Sequence, residues 1–285
     1  TPMPIVTLMT DFGNKDYAVA AVKGAILSTV ENPQIVDISH QISPYNPTEA
    51  AYVLKNAYKT FPKGSIHIIG VESEKTPENQ HLAMYFDGHY FTIVCPDKIM
   101  ADNGIFTMIK GDLKSEKMVA INVHDKMPTS YPVLEVFVWV AAHISRNGTL
   151  EVVGKSVDQI REIKELRPVI NQQGDQIIGA VIYVDNYGNV ITNITRKLFN
   201  EVGKSRGFTI FARNVKFRKV FETYSDAIDF SISKEKRDED GKKIALFNDA
   251  DHLELAIYKS NTQTVGSAQS LFGLEYRESI TVKFE

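Results

Sequence analysis

Three features are scarce in this sequence: cysteine, an excess of basic charge, and long apolar runs. The lone Cys95 excludes an internal disulfide and a cysteine-rich metal site, and it makes a reducing, cytoplasmic setting our expectation. The apolar runs fall short of the roughly 18–20 residues that span a bilayer, so we expect no membrane partner. A formal net charge of −3 provides no basic footprint, so we do not expect nucleic acid to bind.

Short apolar runs alternate with amphipathic segments in the first part of the chain. Thr48 can cap one of the helices through its hydroxyl. Strands and helices in alternation predict parallel pairing and an α/β domain with a mostly parallel sheet over residues 1–170. The predicted strands cover residues 5–9, 35–38, 65–71, 81–86 and 89–94, and the predicted helices cover residues 16–30, 48–58 and 135–145. Asp87 and Gly88 predict a hairpin turn between the last two of these strands.

Beyond residue 170 the helical periodicity mostly disappears, and short apolar runs separated by turn residues replace it. Regular short strands of this kind predict a smaller all-β barrel domain over residues 171–285. The strands expected there cover residues 177–184, 190–194, 208–211, 215–220, 244–247, 253–258 and 280–284.

Two acidic residues follow the first predicted strand, at the edge where open α/β sheets place their ligands. Asp11 comes directly after that strand, and Asp16 precedes the next helix. A carboxylate at this edge can accept two hydrogen bonds from a vicinal diol such as a ribose. The alternative is structural, with Asp11 stabilising the turn and Asp16 capping the helix. No G-x-G-x-x-G sequence accompanies them, so a dinucleotide fingerprint is unsupported.

Polar residues also follow the second predicted strand, and an aromatic residue lies beyond them. Asp37, Ser39 and His40 invite a triad or a metal site. However, adjacent residues on an extended segment point in opposite directions, so a turn held by local hydrogen bonds is the expected arrangement. Tyr45 lies on a loop at the same edge of the sheet and can cover a sugar or a base.

A third polar group lies in the second domain, between two predicted strands. Its residues, Asp185-Asn186-Tyr187-Gly188-Asn189, fit a hairpin turn. Tyr187 adds an aromatic face and Asn189 adds an amide that can both donate and accept, which together suit an adenine or an amino-acid head group. By contrast, His67 lies within an apolar run and is expected to be a hydrogen-bonded core residue.

Seven segments carry a family resemblance through their order and spacing: Thr10-Asp11-Phe12-Gly13, Asp37-Ile38-Ser39-His40, Phe61-Pro62-Lys63-Gly64, Asp102-Asn103-Gly104, Asp185-Asn186-Tyr187-Gly188-Asn189, Leu253-Glu254-Leu255-Ala256 and Gly266-Ser267-Ala268. Together they resemble the S-adenosylmethionine (SAM) hydroxide adenosyltransferase family, which includes the fluorinases and chlorinases. The resemblance extends over nearly the whole chain.

This resemblance implies a seven-stranded α/β domain joined to a small β-barrel, assembled as a homotrimer. In the family, SAM lies where one subunit's N-terminal domain meets a neighbour's C-terminal domain. SAM is then a substrate or ligand, with no prosthetic group and no metal. The residues implied to face the ligand are Asp11 for the ribose hydroxyls, Asp16 for the methionine ammonium, Tyr45 for the sugar, Tyr187 and Asn189 from the second domain, and Ala268 for the adenine edge.

The sequence departs from the resembled family at the residues that orient water. The hydrolase members carry an Asp, an Arg and a His, and the corresponding positions here hold Glu72, Asn79 and Pro132. Proline can neither accept nor shuttle a proton, so Glu72 is the candidate catalytic residue that is left. Lys75 and Val133 replace the small hydroxyl residues of the halide pocket, so halogenation is not expected.

The resemblance therefore implies a diverged enzyme that cleaves SAM, or a related adenosyl compound, by nucleophilic attack at the 5′ carbon, giving adenosine and methionine. The sulfonium leaves as a neutral thioether, so the site must chiefly place and desolvate the nucleophile. The alternative is a non-catalytic adenosine or SAM binder, such as a sensor, with a degenerate site. Glu72 distinguishes the two, because only an enzyme requires it to face the 5′ carbon through a water.

Overall fold

The computed structural model describes residues 3–44, 46–96, 105, 109, 117–125, 129–158, 167–237, 241–259 and 266–285. Tyr45 and the segment Asp102-Asn103-Gly104 lie outside these residues. Within these ranges, no helix combines the length and the apolar character that a bilayer span requires. The chain divides into two compact units, Thr1–Ile163 and Lys164–Glu285. The domain boundary after residue 170 stays a prediction.

The first unit contains seven strands and three helices within the described residues. The strands are β1 (Ile5–Thr10), β2 (Gln34–Ser39), β3 (Ile66–Gly70), β4 (Asn79–Phe86), β5 (His89–Pro96), β6 (Lys117–Ile121) and β7 (Gly154–Ser156). The helices are α1 (Ala18–Thr29), α2 (Pro47–Tyr58) and α3 (Val138–Ser145), and a π-helical turn, Val133–Phe137, precedes α3.

These strands form one sheet in the order β2-β1-β3-β5-β4-β6-β7, with apolar side chains on both faces. Along β3, Ile68 packs with α1 and α3 on one face, whereas Ile69 packs with α2 on the other. Successive side chains of a strand point to opposite faces, so the sheet is the middle layer of a three-layer α/β unit.

The sheet is mixed, so the expectation of a mostly parallel sheet is confirmed only in part. β1 pairs in parallel with β2 and β3, as does β3 with β5, but β4 is antiparallel to β5 and β6, and β6 is antiparallel to β7. The cause is the turn between β4 and β5. Asp87 and Gly88 both have positive φ, 52° and 79°, and a two-residue turn of this kind joins only antiparallel neighbours.

The cap of α2 also differs from the expected one. Asn46 caps this helix, because its side-chain oxygen accepts the N–H of Glu49 at 3.0 Å, while Thr48 lies buried inside the helix. Pro47 occupies the first helical position, where its missing N–H is tolerated, so the cap falls on the residue before it. The prediction of Thr48 as the cap is wrong.

The second unit is an antiparallel sheet with two short helices among its described residues. The strands are β8 (Val169–Ile170), β9 (Gln176–Val184), β10 (Val190–Thr195), β11 (Phe208–Ala212), β12 (Val215–Phe217), β13 (Lys243–Phe247), β14 (His252–Ile257) and β15 (Ser279–Phe284), and the helices are α4 (Arg196–Gly203) and α5 (Ala268–Phe272). The order is β12-β11-β15-β9-β10-β14-β13, with β8 added to β9. A bridge between Phe221, which follows β12, and Leu246 of β13 brings the two edges together, so the sheet is a nearly closed barrel.

Candidate functional site

Asp11 lies directly after β1, at the carboxyl end of the parallel strands. Its Oδ2 accepts the backbone N–H of Glu72 at 2.9 Å, and its own N–H donates to the carbonyl of Gly70, the last residue of β3, at 3.3 Å. Burial raises the pKa of the Asp11 carboxyl, while hydrogen bonds from the backbone N–H groups of Glu72 and of Asp11 itself oppose that rise. The carboxylate is therefore half-buried and held in one orientation at the ends of two strands.

Gly70 allows the chain to pack closely beneath this carboxylate. A Cβ atom at Gly70 would lie 2.9 Å from a side-chain carbon of Val133 and 3.2 Å from one of Thr10. Val133 begins the π-helical turn and is fully buried, and Pro132 directly precedes it. Pro132 stands at the position where the resembled hydrolases carry a histidine. The segment that contains it therefore packs against the end of β3 through the apolar side chain of Val133.

The polar residues at the end of β2 converge on β1. His40 Nε2 lies 2.7 Å from Asp37 Oδ1, and His40 Nδ1 lies 2.7 Å from Thr10 Oγ1. Lys23 of α1 donates to Asp37 Oδ2 at 2.6 Å. Burial alone would raise the pKa of the Asp37 carboxyl, but the hydrogen bonds and charges of Lys23 and His40 together lower it. These four side chains form a continuous hydrogen-bonded chain, which we call the Thr10–Lys23 chain.

The expected local hydrogen bonds are present, because the bond between Asp37 and His40 joins residues three apart, but the contacts with Thr10 and Lys23 go beyond a local turn. Ser39 does make such a turn, because its hydroxyl accepts the N–H of Gln41 at 3.2 Å. However, β2 ends at Ser39, so the alternation of an extended strand does not continue to His40. The sequence signal for the Asp37–His40 contact was an acid and a histidine three residues apart, on either side of a strand end.

Asp16 is exposed on the loop that leads into α1. Its Oδ1 accepts the N–H of Ala18, the first residue of that helix, at 3.0 Å. The cap position of α1 is Tyr17, so Asp16 supports the start of the helix from the residue before the cap rather than capping it as the structural interpretation expected. Its role toward a ligand ammonium stays a prediction.

Glu72 is the second residue of the connection from β3 to β4 and is half-buried. Its φ is 47°, in the left-handed region that residues other than glycine rarely adopt and that carries a cost of about 1 kcal/mol or more. This conformation accompanies the donation of its N–H to Asp11. The backbone of the candidate base is therefore joined directly to the candidate ribose-binding carboxylate.

Asn79 uses its side chain to hold the same connection together. Its Oδ1 accepts the N–H of Thr76 at 3.0 Å, and its Nδ2 donates to the carbonyl of Glu74 at 2.7 Å. Lys75 Nζ donates to the carbonyl of Asn79 at 2.6 Å. Asn79 and Lys75, which stand at positions of family site residues, therefore both contribute hydrogen bonds to the connection between β3 and β4.

In the second unit, the predicted hairpin turn joins β9 and β10. Asp185 organises it, because its Oδ1 accepts the N–H groups of Tyr187 and Asn189, each at 2.9 Å, and its Oδ2 accepts from Asn189 Nδ2 at 3.1 Å. The side chain of Asn189 is buried, whereas Tyr187 is 66% exposed. The turn therefore holds an amide inward and leaves an aromatic ring accessible.

Ala268 lies next to that turn. It is fully buried as the first residue of α5, and the following N–H, of Gln269, donates to the carbonyl of Gly188 at 3.0 Å. The second unit therefore brings Tyr187, Asn189 and Ala268 together. The first unit brings Asp11 and Glu72 together.

A buried carboxyl in the second unit was missed from the sequence. Glu254 of β14 is 3% exposed and accepts the hydroxyl of Tyr224. Burial raises the pKa of Glu254 and the charge of Asp185 adds to the rise, while hydrogen bonds from Tyr224 and Asn248 oppose it. The sequence signal for this buried carboxyl was a single acidic residue among the apolar residues of β14. Across the residues described, no cluster of three or more His, Cys, Asp or Glu side chains could hold a metal ion.

Comparisons with known proteins identify the family. Residues 6–154 match the SAM hydroxide adenosyltransferase N-terminal domain, and residues 179–281 match the SAM hydroxide adenosyltransferase C-terminal domain. The chain is 28% identical over 285 residues to a protein of Methanocaldococcus jannaschii named (R)-S-adenosyl-L-methionine hydrolase, a match covering 98% of this chain and 96% of the relative. It is 22% identical over 233 residues to a protein of Actinopolyspora mzabensis named fluorinase, covering 72% of this chain and 76% of the relative.

A solved structure shows the same fold. The crystal structure of an uncharacterized conserved protein from Thermotoga maritima superposes with a TM-score of 0.78 at 24% identity, covering 98% of this chain and 99% of the other. The two domain matches extend over most of the residues in both units. This chain belongs to the SAM hydroxide adenosyltransferase family.

Proposed function

We propose that this protein cleaves SAM, or a related adenosyl compound, by nucleophilic attack at the 5′ carbon, giving adenosine and methionine. The observation that carries the proposal is the Asp11 carboxylate, held at the carboxyl edge of the sheet by the N–H of Glu72 in a member of this family. A hydrolase named for (R)-S-adenosyl-L-methionine is among the relatives that align over almost the whole chain.

In the proposed reaction, a water oxygen bonds to C5′ while the C5′–S bond breaks and its electron pair passes to sulfur. Methionine leaves as a neutral thioether, so the leaving group requires no acid. The proton released from water passes to a base, and we assign this role to Glu72. Its position beside Asp11 supports the assignment, because a base must act close to the sugar whose hydroxyls Asp11 binds.

The proposed ligand site draws on both units, with each site formed between subunits of a homotrimer. The fixed turn at Asp185 and its link to α5 support one binding surface for the adenosyl group in the second unit. The proposed roles are Asp11 for the ribose hydroxyls, Asp16 for the methionine ammonium, Tyr45 for the sugar, Tyr187 and Asn189 for the ligand face of the second unit, and Ala268 for the adenine edge.

A second candidate function is non-catalytic binding of adenosine or SAM, as in a sensor. The observation that favours it is the side chain of Asn79, which is engaged with Thr76 and Glu74 and cannot replace an arginine. Pro132 provides no proton-transfer group at the other family position.

Incubation of the purified protein with SAM, with and without chloride, distinguishes these functions. Liquid chromatography would follow adenosine, methionine and chlorinated adenosine, with Asp11→Asn as the matched control. Equal amounts of adenosine and methionine from the wild type alone would support the enzyme. SAM binding in a calorimeter without any product would support the binder, and the absence of both would contradict the adenosyl site.

A further inference from the structure

The Thr10–Lys23 chain is not used by the proposed reaction, yet its donors and acceptors match along its length. The carboxylate of Asp37 only accepts, so His40 Nε2 donates to it, and the Thr10 hydroxyl, which can both donate and accept, lies 2.7 Å from His40 Nδ1. The oxygen of Thr10 in turn accepts the N–H of Phe12 at 3.3 Å. The chain therefore ends on the backbone of the segment that carries Asp11.

Burial excludes a nucleophilic role for the Thr10 hydroxyl of the Thr10–Lys23 chain. Thr10 is 1% exposed and His40 is 5% exposed. A hydroxyl that is covered in this way cannot reach a ligand, although an acid, a histidine and a hydroxyl in sequence have the composition of a catalytic triad. The same burial strengthens the hydrogen bond between Thr10 and His40, because the local dielectric constant is low.

His40 contacts the loop between β1 and α1 in two ways. Its side chain binds Thr10 at the start of the loop, and its carbonyl accepts the N–H of Gly13 at 2.7 Å. Gly13 has a φ of 73°, which glycine adopts without strain. On the far side of the loop, Lys23 ties α1 to the same chain through Asp37.

We propose that His40 is a positioning residue, which fixes residues 11–17 through Thr10 and Gly13 and thereby presents the Asp11 carboxylate for binding. The inference rests on the proposed function in one respect, the binding of an adenosyl ligand by Asp11. A loop that is already ordered loses less conformational freedom when the ligand binds. Breaking the hydrogen bonds of the Thr10–Lys23 chain should therefore weaken binding, even though none of its four side chains touches the ligand.

The same strand provides a matched control. Thr7 of β1 is fully buried, and its hydroxyl lies 2.6 Å from Nδ1 of His67. Thr7→Val and Thr10→Val each remove one buried threonine–histidine hydrogen bond from β1, and Thr10→Val also removes the acceptor of the Phe12 N–H. Only Thr10 is next to the loop, so the pair separates a positioning effect from a general loss of stability.

Two measurements test the proposal. Calorimetric titration with adenosine should show binding about tenfold weaker in Thr10→Val, and within about twofold of the wild type in Thr10→Ser and Thr7→Val. Hydrogen exchange of the unliganded protein should be faster over residues 11–17 in Thr10→Val but not in Thr7→Val. His40→Phe, which removes both ring nitrogens, should act in the same direction as Thr10→Val.

The outcomes separate the positioning role from the proposed function. Unchanged exchange over residues 11–17 in Thr10→Val, or an equal loss of adenosine affinity in Thr7→Val, would overturn the positioning role. A wild type that binds neither adenosine nor SAM would instead contradict the proposed function, and the exchange rates alone would then decide the role of His40. If His40→Phe does not fold, His40→Gln takes its place in the exchange measurement, because Thr10→Val also removes the acceptor of the Phe12 N–H.

Discussion

The side chain of Asp11 and the backbone of Glu72 are joined by a hydrogen bond of 2.9 Å between Oδ2 and the amide nitrogen. It links the carboxylate proposed to bind the ribose with the residue proposed to activate water. Because the bond uses only the backbone of Glu72, its carboxyl group can be changed without removing the support of Asp11. The two residues can therefore be tested separately.

Replacing Asp11 should abolish ligand binding without loss of stability. Asparagine can still accept the N–H of Glu72, and it removes a charge that burial disfavours. We expect the melting temperature of unliganded Asp11→Asn to equal or exceed that of the wild type. Adenosine at about 100 times its dissociation constant should stabilise the wild type by roughly 2.7 kcal/mol and leave the variant unchanged. Scanning fluorimetry measures both, and a wild type unmoved by millimolar adenosine or SAM would count against the site.

Replacing Glu72 should separate catalysis from binding. Glu72→Gln keeps the size of the side chain but removes the base, and Glu72→Gly removes the side chain while favouring the left-handed backbone, φ 47°, on which the bond to Asp11 depends. Both variants should bind SAM in a calorimeter, and both should form adenosine more slowly by a factor of about 10²–10⁴. Turnover equal to the wild type in Glu72→Gln would show that Glu72 has no catalytic role.

Much of the fold follows from local sequence patterns, and the departures have local causes. The buried runs that became β1 and β3, and the Asp87-Gly88 turn between β4 and β5, are recognisable because period and turn chemistry are local properties. That same turn makes the sheet mixed, because it fixes β4 as antiparallel to β5. The pairing of β4 with β6 is set by partners distant in sequence, which no local pattern contains.

The candidate site was less accessible to sequence reasoning than the fold. Asp11 could be placed because it follows a clear strand, but its contact with Glu72 joins residues 61 positions apart. The bond between His40 and Thr10 also depends on tertiary structure, since it requires β1 and β2 to be neighbours in register. His67 is the simpler case, because a histidine within an apolar strand must find partners there, and Thr7 and His89 provide them.

The buried His67 should make the protein sensitive to mild acid. Burial, together with the neighbouring His89, lowers the pKa of His67 from about 6.5 to about 3. The unfolded chain therefore takes up the proton first, so the stabilisation is complete above pH ~6.5 and declines as the pH falls toward 3. The free energy of unfolding in urea should fall by about 1 kcal/mol per pH unit between pH 6 and 4.5.

His67→Gln provides the control for this acid dependence. The pKa values of Asp37 and Asp87 are lowered by their hydrogen bonds despite the opposing effect of burial. Their stabilising contribution is therefore lost only as the pH falls below the ordinary aspartate pKa of about 3.9, and it adds little to the slope above pH 4.5. The slope above pH 4.5 should therefore be smaller in His67→Gln than in the wild type, whatever the stability of the variant at neutral pH. Identical slopes would show that His67 is not the group that takes up the proton.

Assembly is a separate prediction, because the proposed site requires a neighbouring subunit. We expect a homotrimer of the 32.0 kDa chain in dilute solution. Light scattering coupled to size-exclusion chromatography measures the mass directly, and dilution shows whether the assembly persists. A monomer that still binds adenosine tightly would show that the site is complete within one chain.

The rate of SAM cleavage should be low, and chloride should not enter the product. Positioned acid–base groups contribute about 10²–10⁴-fold, so with Asn79 and Pro132 at the water-orienting positions we expect turnover slower by a factor of this order than that of a relative that carries the Asp, the Arg and the His. Some turnover should remain, because the leaving thioether needs no proton and a dry, ordered cleft still aligns water with the C–S bond.

Chlorinated adenosine should be absent, since Lys75 is held by its own loop and Val133 is a buried apolar residue. Side-by-side assays with that relative, each with and without chloride, measure all three expectations. Equal rates for the two proteins would show that Asn79 and Pro132 do not occupy the water-orienting positions, and a chlorinated product would show that a halide pocket forms without the hydroxyl side chains.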